Sequence, residues 1–362
     1  MSPLSPLPPS TAAKVSTEAP AGPVMAGPRP AVADGVRDDA VPGPTAPLEE
    51  APLYVVINLG AGRSEDEDVC ATIQRVLTKA GRIHEILRVE DPAELQATAE
   101  RAVAQARRCG GVVVAVGGDG TLNTVAQATL GSGVCFGVIP RGTFNYFGRA
   151  HGIPSEPEAA TRMLLTARLR PVQVGLVNDR VFLVNASLGL YPKSLEDREA
   201  QSRRLGRSRW VAAWAALVTL WKGCRPLHLT LEHDGRLRRI RALTLFVGNN
   251  RLQLESVGVE DAQVVQAGKL VCILARPRRP WTLLWLVIKG ALGTLSEVEG
   301  VEHFALTDLT VTPAGLRRRR RRLKLATDGE VARAHTPVRF TAAPDALLLL
   351  IPDAADGDPV AV

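Results

Sequence analysis

The sequence has no CxxC pair, no Cys/His ligand spacing and no HExxH pattern among its five cysteines and six histidines. A zinc site built from protein ligands alone is therefore not expected. The cysteines at Cys70, Cys109, Cys135, Cys224 and Cys272 are odd in number and scattered. They read as reduced thiols, mostly buried in apolar runs, which suits a cytosolic protein. Long hydrophobic runs are lacking too. The longest uncharged ones are Trp210–Trp221 and Pro280–Ile288, well short of the roughly 20 residues that span a bilayer. The N-terminal stretch lacks the charged-then-apolar order of a secretory signal. The expected location is therefore cytoplasmic, with peripheral contact to a membrane.

Residues 1–50 hold 11 of the 26 prolines and show no apolar periodicity. Such a segment cannot bury enough surface to offset its ordering entropy, so a disordered, dispensable tail is expected there. Charge divides unevenly. The whole chain has 44 Lys and Arg against 37 Asp and Glu, and the first 50 residues hold three and six. The remaining 312 residues thus carry 41 against 31, a net +10. A basic body suits an anionic partner such as a nucleotide or an acidic lipid surface. Nucleic acid is not expected, because no helix-turn-helix, RNP or zinc pattern is present.

From residue 53 apolar strands alternate with helices. Strands are predicted at 53–60, 83–89, 112–116 and 135–140, and helices at 65–80, at 92–108 and after the GGDG of 117–120. That alternation predicts an α/β fold with a parallel sheet over residues 51–171. After 171 the pattern becomes strands separated by turn residues, including the hairpin signal Asp234-Gly235. Helical pieces near 195–222 and 281–296 interrupt it. A β-rich, antiparallel second domain is expected over 172–352, then a tail over 353–362, with the active site in the cleft between the domains.

The stretch Gly117-Gly118-Asp119-Gly120-Thr121 follows an apolar strand and opens a helix. Glycines without Cβ let the backbone approach an anion closely, and the first amides of a helix point at phosphate oxygens. Asp119 beside bare phosphates would be repulsive, but it fits Mg²⁺ held between the carboxylate and a nucleotide, directly or through water. Thr121 would cap the helix or bond a phosphate. PRGTFNYFGR at 140–149 again places Gly and Thr143 after a buried strand, so two strand ends could hold one nucleotide. Near the C-terminus, Thr327-Asp328-Gly329-Glu330 sets two carboxylates around a glycine after a strand, which in isolation reads as a solvated turn.

Taken together, GGDGT, PxGTxN and a late DGE resemble the diacylglycerol kinase catalytic-domain family, which includes bacterial lipid kinases and sphingosine kinases. NLGAGR at 58–63, VNASLGLYP at 184–192 and FVGNN at 246–250 are similar to further family segments, and the resemblance covers about residues 52–351. It implies a nucleotide domain like that of NAD kinases and phosphofructokinases, and a C-terminal β-sandwich. ATP would touch Asn58, Gly117, Gly118, Asp119, Gly120, Thr121, Thr143 and Asn145. Glu330 would be the base, supported by Asp328. The implied activity is Mg²⁺- and ATP-dependent phosphorylation of a membrane-lipid hydroxyl. Diacylglycerol is the first substrate expected and a sphingoid base the next. A catalytically weak nucleotide-binding regulator is the rival, because Tyr146 and Tyr191 stand where the family carries aspartates. Ala267-Gly268 replaces an Asp-Gly that binds a structural Mg²⁺ in relatives. The run Arg317, Arg318, Arg319, Arg320, Arg321, Arg322 reads either as a solvated hairpin turn or as a patch against anionic headgroups. The helical piece 203–223 reads as a buried helix or an interfacial one. A homodimer is one assembly consistent with the chain.

Overall fold

The structure is a computed structural model, and it describes residues 48–59, 63–189, 226–276, 300–314 and 322–353. The N-terminal tail to residue 47, Gly60–Gly62, Tyr191, the helical pieces at 195–222 and 281–296, Arg317–Arg321 and residues 354–362 lie outside the described residues. All described residues belong to the compact unit Val41–Val362.

The first half alternates as its pattern predicts: β1 (Leu53–Asn58), α1 (Arg63–Lys79), β2 (His84–Val89), α2 (Leu95–Cys109), β3 (Val112–Gly117), α3 (Asp119–Thr129) and β4 (Cys135–Pro140). All six residues of β3 and of β4 are buried, as strands covered on both faces must be. Local chemistry sets the ends. Asp91 accepts from Ala93 N at 2.9 Å to start the turn before α2, and Gly110, left-handed at φ 63°, ends α2. Two short helices follow, α4 (Tyr146–Ala150) and α5 (Pro157–Thr166).

The second half adds β5 (Arg168–Val177), β6 (Arg180–Phe182), β7 (Asn185–Gly189), β8 (Leu227–His233), β9 (Arg236–Ala242), β10 (Thr244–Gly248), α6 (Arg251–Ser256), β11 (Leu270–Ala275), β12 (Val301–Leu306), β13 (Asp308–Pro313), β14 (Arg322–Thr327), β15 (Glu330–His335) and β16 (Val338–Ile351). One sheet runs β2-β1-β3-β4-β16-β13-β8-β9, with β5 on β16 and β6 on β5. The other runs β12-β11-β10-β7-β14-β15. Strands β1 to β4 pair in parallel, and the second sheet is antiparallel throughout. The fold is therefore α/β with a parallel N-terminal sheet and a C-terminal antiparallel one, as expected. Leu229, Leu309 and Phe340 of the first sheet share one core with Leu188, Leu245, Cys272 and Leu325 of the second, which makes the C-terminal half a sandwich.

Two stretches of strand pattern split between the sheets. Residues 180–189 divide into β6 and β7, and residues 301–313 divide into β12 and β13. The residue expected as a domain boundary, 171, falls inside β5. That strand pairs with the long β16, whose Leu349 aligns with Phe136 of β4. The parallel and antiparallel regions thus share one continuous sheet.

Candidate active site

In the order β2-β1-β3-β4 the chain reverses direction of winding between β1 and β3. Crevices beyond the carboxyl ends of strands at such a reversal are where open α/β sheets bind ligands. Asn58 ends β1 and Gly117 ends β3, so both stand at that point. Helix α3 begins at Asp119, two residues before the predicted Thr121, because Gly118 is extended (φ −81°, ψ 179°) and serves as its N-cap without a side chain. The amides of the first turn have no intrahelical acceptors, which makes this end a ready anion site.

The second glycine loop packs directly on the first. Arg141 N donates to Gly117 O at 2.8 Å. A Cβ built on Gly142 would lie 3.1 Å from Gly118 Cα and 2.9 Å from Asn145 Oδ1, so the loops come this close because Gly142 has no Cβ. Asn145 is buried and left-handed (φ 48°), and its side-chain oxygen accepts from Gly142 N at 2.6 Å. Its side chain therefore shapes the loop. Thr143 is exposed on that loop. Thr121, by contrast, is buried, its hydroxyl accepts from Asn58 Nδ2 at 3.2 Å, and it fills the space where Gly117 would carry a Cβ.

Asp119 sends its carboxylate toward α4, where the backbone N–H of Phe147 donates to it. Burial raises its pKa against that hydrogen bond. Its Oδ1 is buried with no partner, and so is Asn58 Oδ1. Among the described residues no three carboxylate, histidine or cysteine groups cluster as a metal cage. One orphaned carboxylate oxygen beside a glycine-lined anion site suits a cation that takes its remaining ligands from phosphates and water, the habit of Mg²⁺.

The third motif comes from the other sheet. Thr327 and Glu330 pair across a two-residue turn in which Asp328 (φ 47°) and Gly329 (φ 90°) are both left-handed, the geometry of the tightest hairpins. Glu330 is exposed and reaches α3: a Cβ on Gly120 would sit 2.4 Å from its Oε1. Asp328 is no solvated turn residue. Its carboxylate accepts from Leu183 N (2.7 Å), Val184 N (2.9 Å), Asn185 N (2.9 Å) and Asn123 Nδ2 (2.7 Å). The chain crosses from one sheet to the other at these residues, where ladder partners run out, and Asp328 supplies the acceptors. Burial pushes its carboxyl up to about 6, against the four donors, which pull it down.

Sequence reading missed Asn123, which also donates to Val181 O at 2.8 Å and so ties α3 to β6 as well as to Asp328. Its signal was its place four residues after Asp119, on the same helix face. Tyr146 turns its ring onto Phe144, stacked at 5.6 Å and 8°, with Phe144 exposed. Gly268 is left-handed at φ 79° and lines a separate cavity with Ala267. Of the arginine run, Arg322 is described. It opens β14 and is exposed.

Residues 52–177 match the family model described as the diacylglycerol kinase catalytic domain. The chain is 33% identical over 145 residues to a probable lipid kinase YegS-like of Serratia proteamaculans, an alignment covering 38% of this chain and 45% of that protein. It is 33% identical over 130 residues to a diacylglycerol kinase of Bacillus subtilis, covering 35% of this chain and 42% of that protein. A crystal structure of a putative diacylglycerol kinase from Bacillus anthracis superposes with a TM-score of 0.63 at 19% identity, covering 84% of this chain and 98% of the other. That superposition shows the shared fold. The matched sequence spans less than half the length of these curated relatives.

Proposed function

Through residues 52–177 the chain belongs to the diacylglycerol kinase catalytic-domain family, and on that premise we propose that it is an ATP-dependent lipid kinase acting on the hydroxyl of a membrane lipid, diacylglycerol first. The observation that carries this reading is the closeness of Glu330 to the first turn of α3: an exposed carboxylate meets an anion-binding helix end.

The two glycine loops would cradle the triphosphate, with the Asp119, Gly120 and Thr121 amides directed at its oxygens. Asp119 would hold Mg²⁺, which when bound neutralises phosphate charge. Glu330 would accept the proton of the lipid hydroxyl as its oxygen bonds the γ-phosphorus and the β–γ bridging bond breaks, releasing ADP. A positioned carboxylate in this role contributes on the order of 10²–10⁴-fold. Asp328 would act through the turn, fixing Glu330 to the crossover between the sheets. Transfer of labelled γ-phosphate to extracted lipids, resolved by chromatography, tests the reading. Label should enter diacylglycerol with Mg²⁺ and vanish with Glu330→Gln. No labelled lipid from any extract would favour the nucleotide-binding regulator, and label in sphingoid bases alone would move the substrate.

The same reading extends to the membrane. Among the described residues no helix is long and apolar enough to cross a bilayer. On the outward face of β14 and β15, Arg322 lies opposite His335 and Lys324 opposite Arg333, all exposed. A face with this many basic side chains suits an anionic surface. The hairpin that carries this face ends at Glu330, and in the sequence Arg322 continues the run Arg317–Arg321. Docking on acidic headgroups through it would bring the lipid hydroxyl to the carboxylate.

A further inference from the structure

Behind α4, away from both glycine loops and Glu330, lies a cavity of about 730 Å³. Six segments wall it: α4, β5, the crossover at Leu183, the start of α6, the turn ending at Gly268, and an irregularity of β16 at Pro344 and Asp345. Its size is within the range of small-molecule sites, and bulged strands favour such places.

Its charge is lopsided. Arg149, Arg170 and Arg251 line it against Asp345 alone among carboxylates. Arg251 is matched by Glu255 at 2.5 Å. Among the described residues Arg149 and Arg170 pair with no carboxylate. His151 sits between α4 and β5, its ring edge-on to Phe147 at 4.8 Å. Burial and the Arg170 charge hold its pKa down at about 4, so the imidazole is neutral near pH 7 and adds no charge of its own.

The wall also has an unfilled acceptor. Gln173 Nε2 donates to Asn249 Oδ1 at 2.7 Å and to Lys269 O at 3.1 Å, while Gln173 Oε1 is buried with no partner. Asn249 is itself buried and spends its amide on Leu183 O at 3.0 Å and Gln173 O at 3.4 Å. Two arginines without carboxylates ask for an anion, and a lone buried carbonyl oxygen asks for a hydroxyl donor.

We propose that this cavity binds a phosphate ester that also bears a hydroxyl, with the phosphate at Arg149 and Arg170 and the hydroxyl at Gln173. A free polyol phosphate and the glycerol phosphate head group of a lipid share that chemistry. The site stands apart from the catalytic reading, although Phe147 belongs to its wall and also donates to Asp119.

Proton NMR of the His151 ring tests the proposal without any turnover, with the resonance assigned by its loss in His151→Gln. Titration with glycerol 3-phosphate, and separately with monomeric dioctanoyl phosphatidylglycerol, should shift the His151 signal saturably and raise its titration midpoint. Glycerol without phosphate should leave it in place. Arg149→Ser with Arg170→Ser should weaken the response at least tenfold, and because both side chains are exposed the fold should persist, as a melting curve would verify. Glu330→Gln should keep the response in full. Whichever probe acts assigns the source, free or lipid-borne. A His151 signal unmoved by either probe at millimolar concentration overturns the proposal, as does an undiminished response in the double serine variant.

Discussion

Glu330, on a turn of one sheet, lies over Gly120, in the first helical turn beyond the other, so closely that the glycine has no room for a Cβ. The near atom is the end of a flexible side chain, so Gly120→Ala should displace the carboxylate without breaking the fold. Alanine in place of a helical glycine should itself add about 0.5–1 kcal/mol. Phosphoryl transfer should fall on the order of 10²-fold while the melting temperature holds or rises. Full turnover in Gly120→Ala would show that the observed position of Glu330 is not the working one.

Asp328 should behave as a structural staple. Asp328→Ala would strand three backbone donors and remove one of the two acceptors of the Asn123 amide, a loss of roughly 3 kcal/mol or more by denaturant unfolding. Because its folded pKa, about 6, lies above the ordinary 3.8, its contribution to stability is fully present below about pH 3.8. That contribution is lost as pH rises through 6. Asp328→Asn should flatten this part of the stability profile between those values. An unchanged slope would place the titrating group elsewhere.

Asp119 should be nearly silent for stability and decisive for chemistry. Burial raises its pKa and so disfavours the charged form, and the neutral isostere in Asp119→Asn should leave the melting temperature level or slightly raised. Lipid phosphorylation should drop by two orders of magnitude or more, with a weaker response to added Mg²⁺. Wild-type turnover at saturating MgATP would remove Asp119 from the site.

The hairpin cations should govern vesicle binding. At about 1 kcal/mol for each basic residue near an acidic surface, Arg322→Ser, Lys324→Ser and Arg333→Ser together should weaken sedimentation with phosphatidylserine vesicles roughly 10²-fold. The effect should shrink at high salt. Phosphorylation of a water-soluble short-chain diacylglycerol should stay the same. Equal loss on both substrates would mean that the hairpin supports the fold and not the membrane.

Much of this was legible in the residues. The six-residue apolar runs of β3 and β4, followed by Gly-rich segments, announce buried parallel strands that end in glycine loops. Asp234-Gly235 announces a hairpin, and both residues are left-handed as such a turn demands. The sheet exchanges at Leu183–Val184 and Thr307 were not legible, because an unbroken apolar strand pattern says nothing about which neighbour each half will find. The inward turn of Asp328 was hidden for the same reason: a carboxylate in a DG turn normally faces water, and only the crossover 143 to 145 residues earlier in the chain gives it donors. Asn145 and Thr121 were read as nucleotide ligands from the motif alone. Their hydrogen bonds to Gly142 and Asn58 depend on how close two loops come, which no local pattern encodes.

The neighbour that closes β4 is β16, and it is made late. Phe136 and its partner Leu349 are separated by more than half the chain. On the ribosome, the strands carrying the glycine loops are complete long before the strand that covers their open flank exists. Until then the buried edge of β4 offers unpaired amides and carbonyls to any passing extended chain. Such distant pairings form slowly. A nascent or truncated form ending before Val338 should therefore call on chaperones and be prone to self-association, even with every catalytic motif already synthesised.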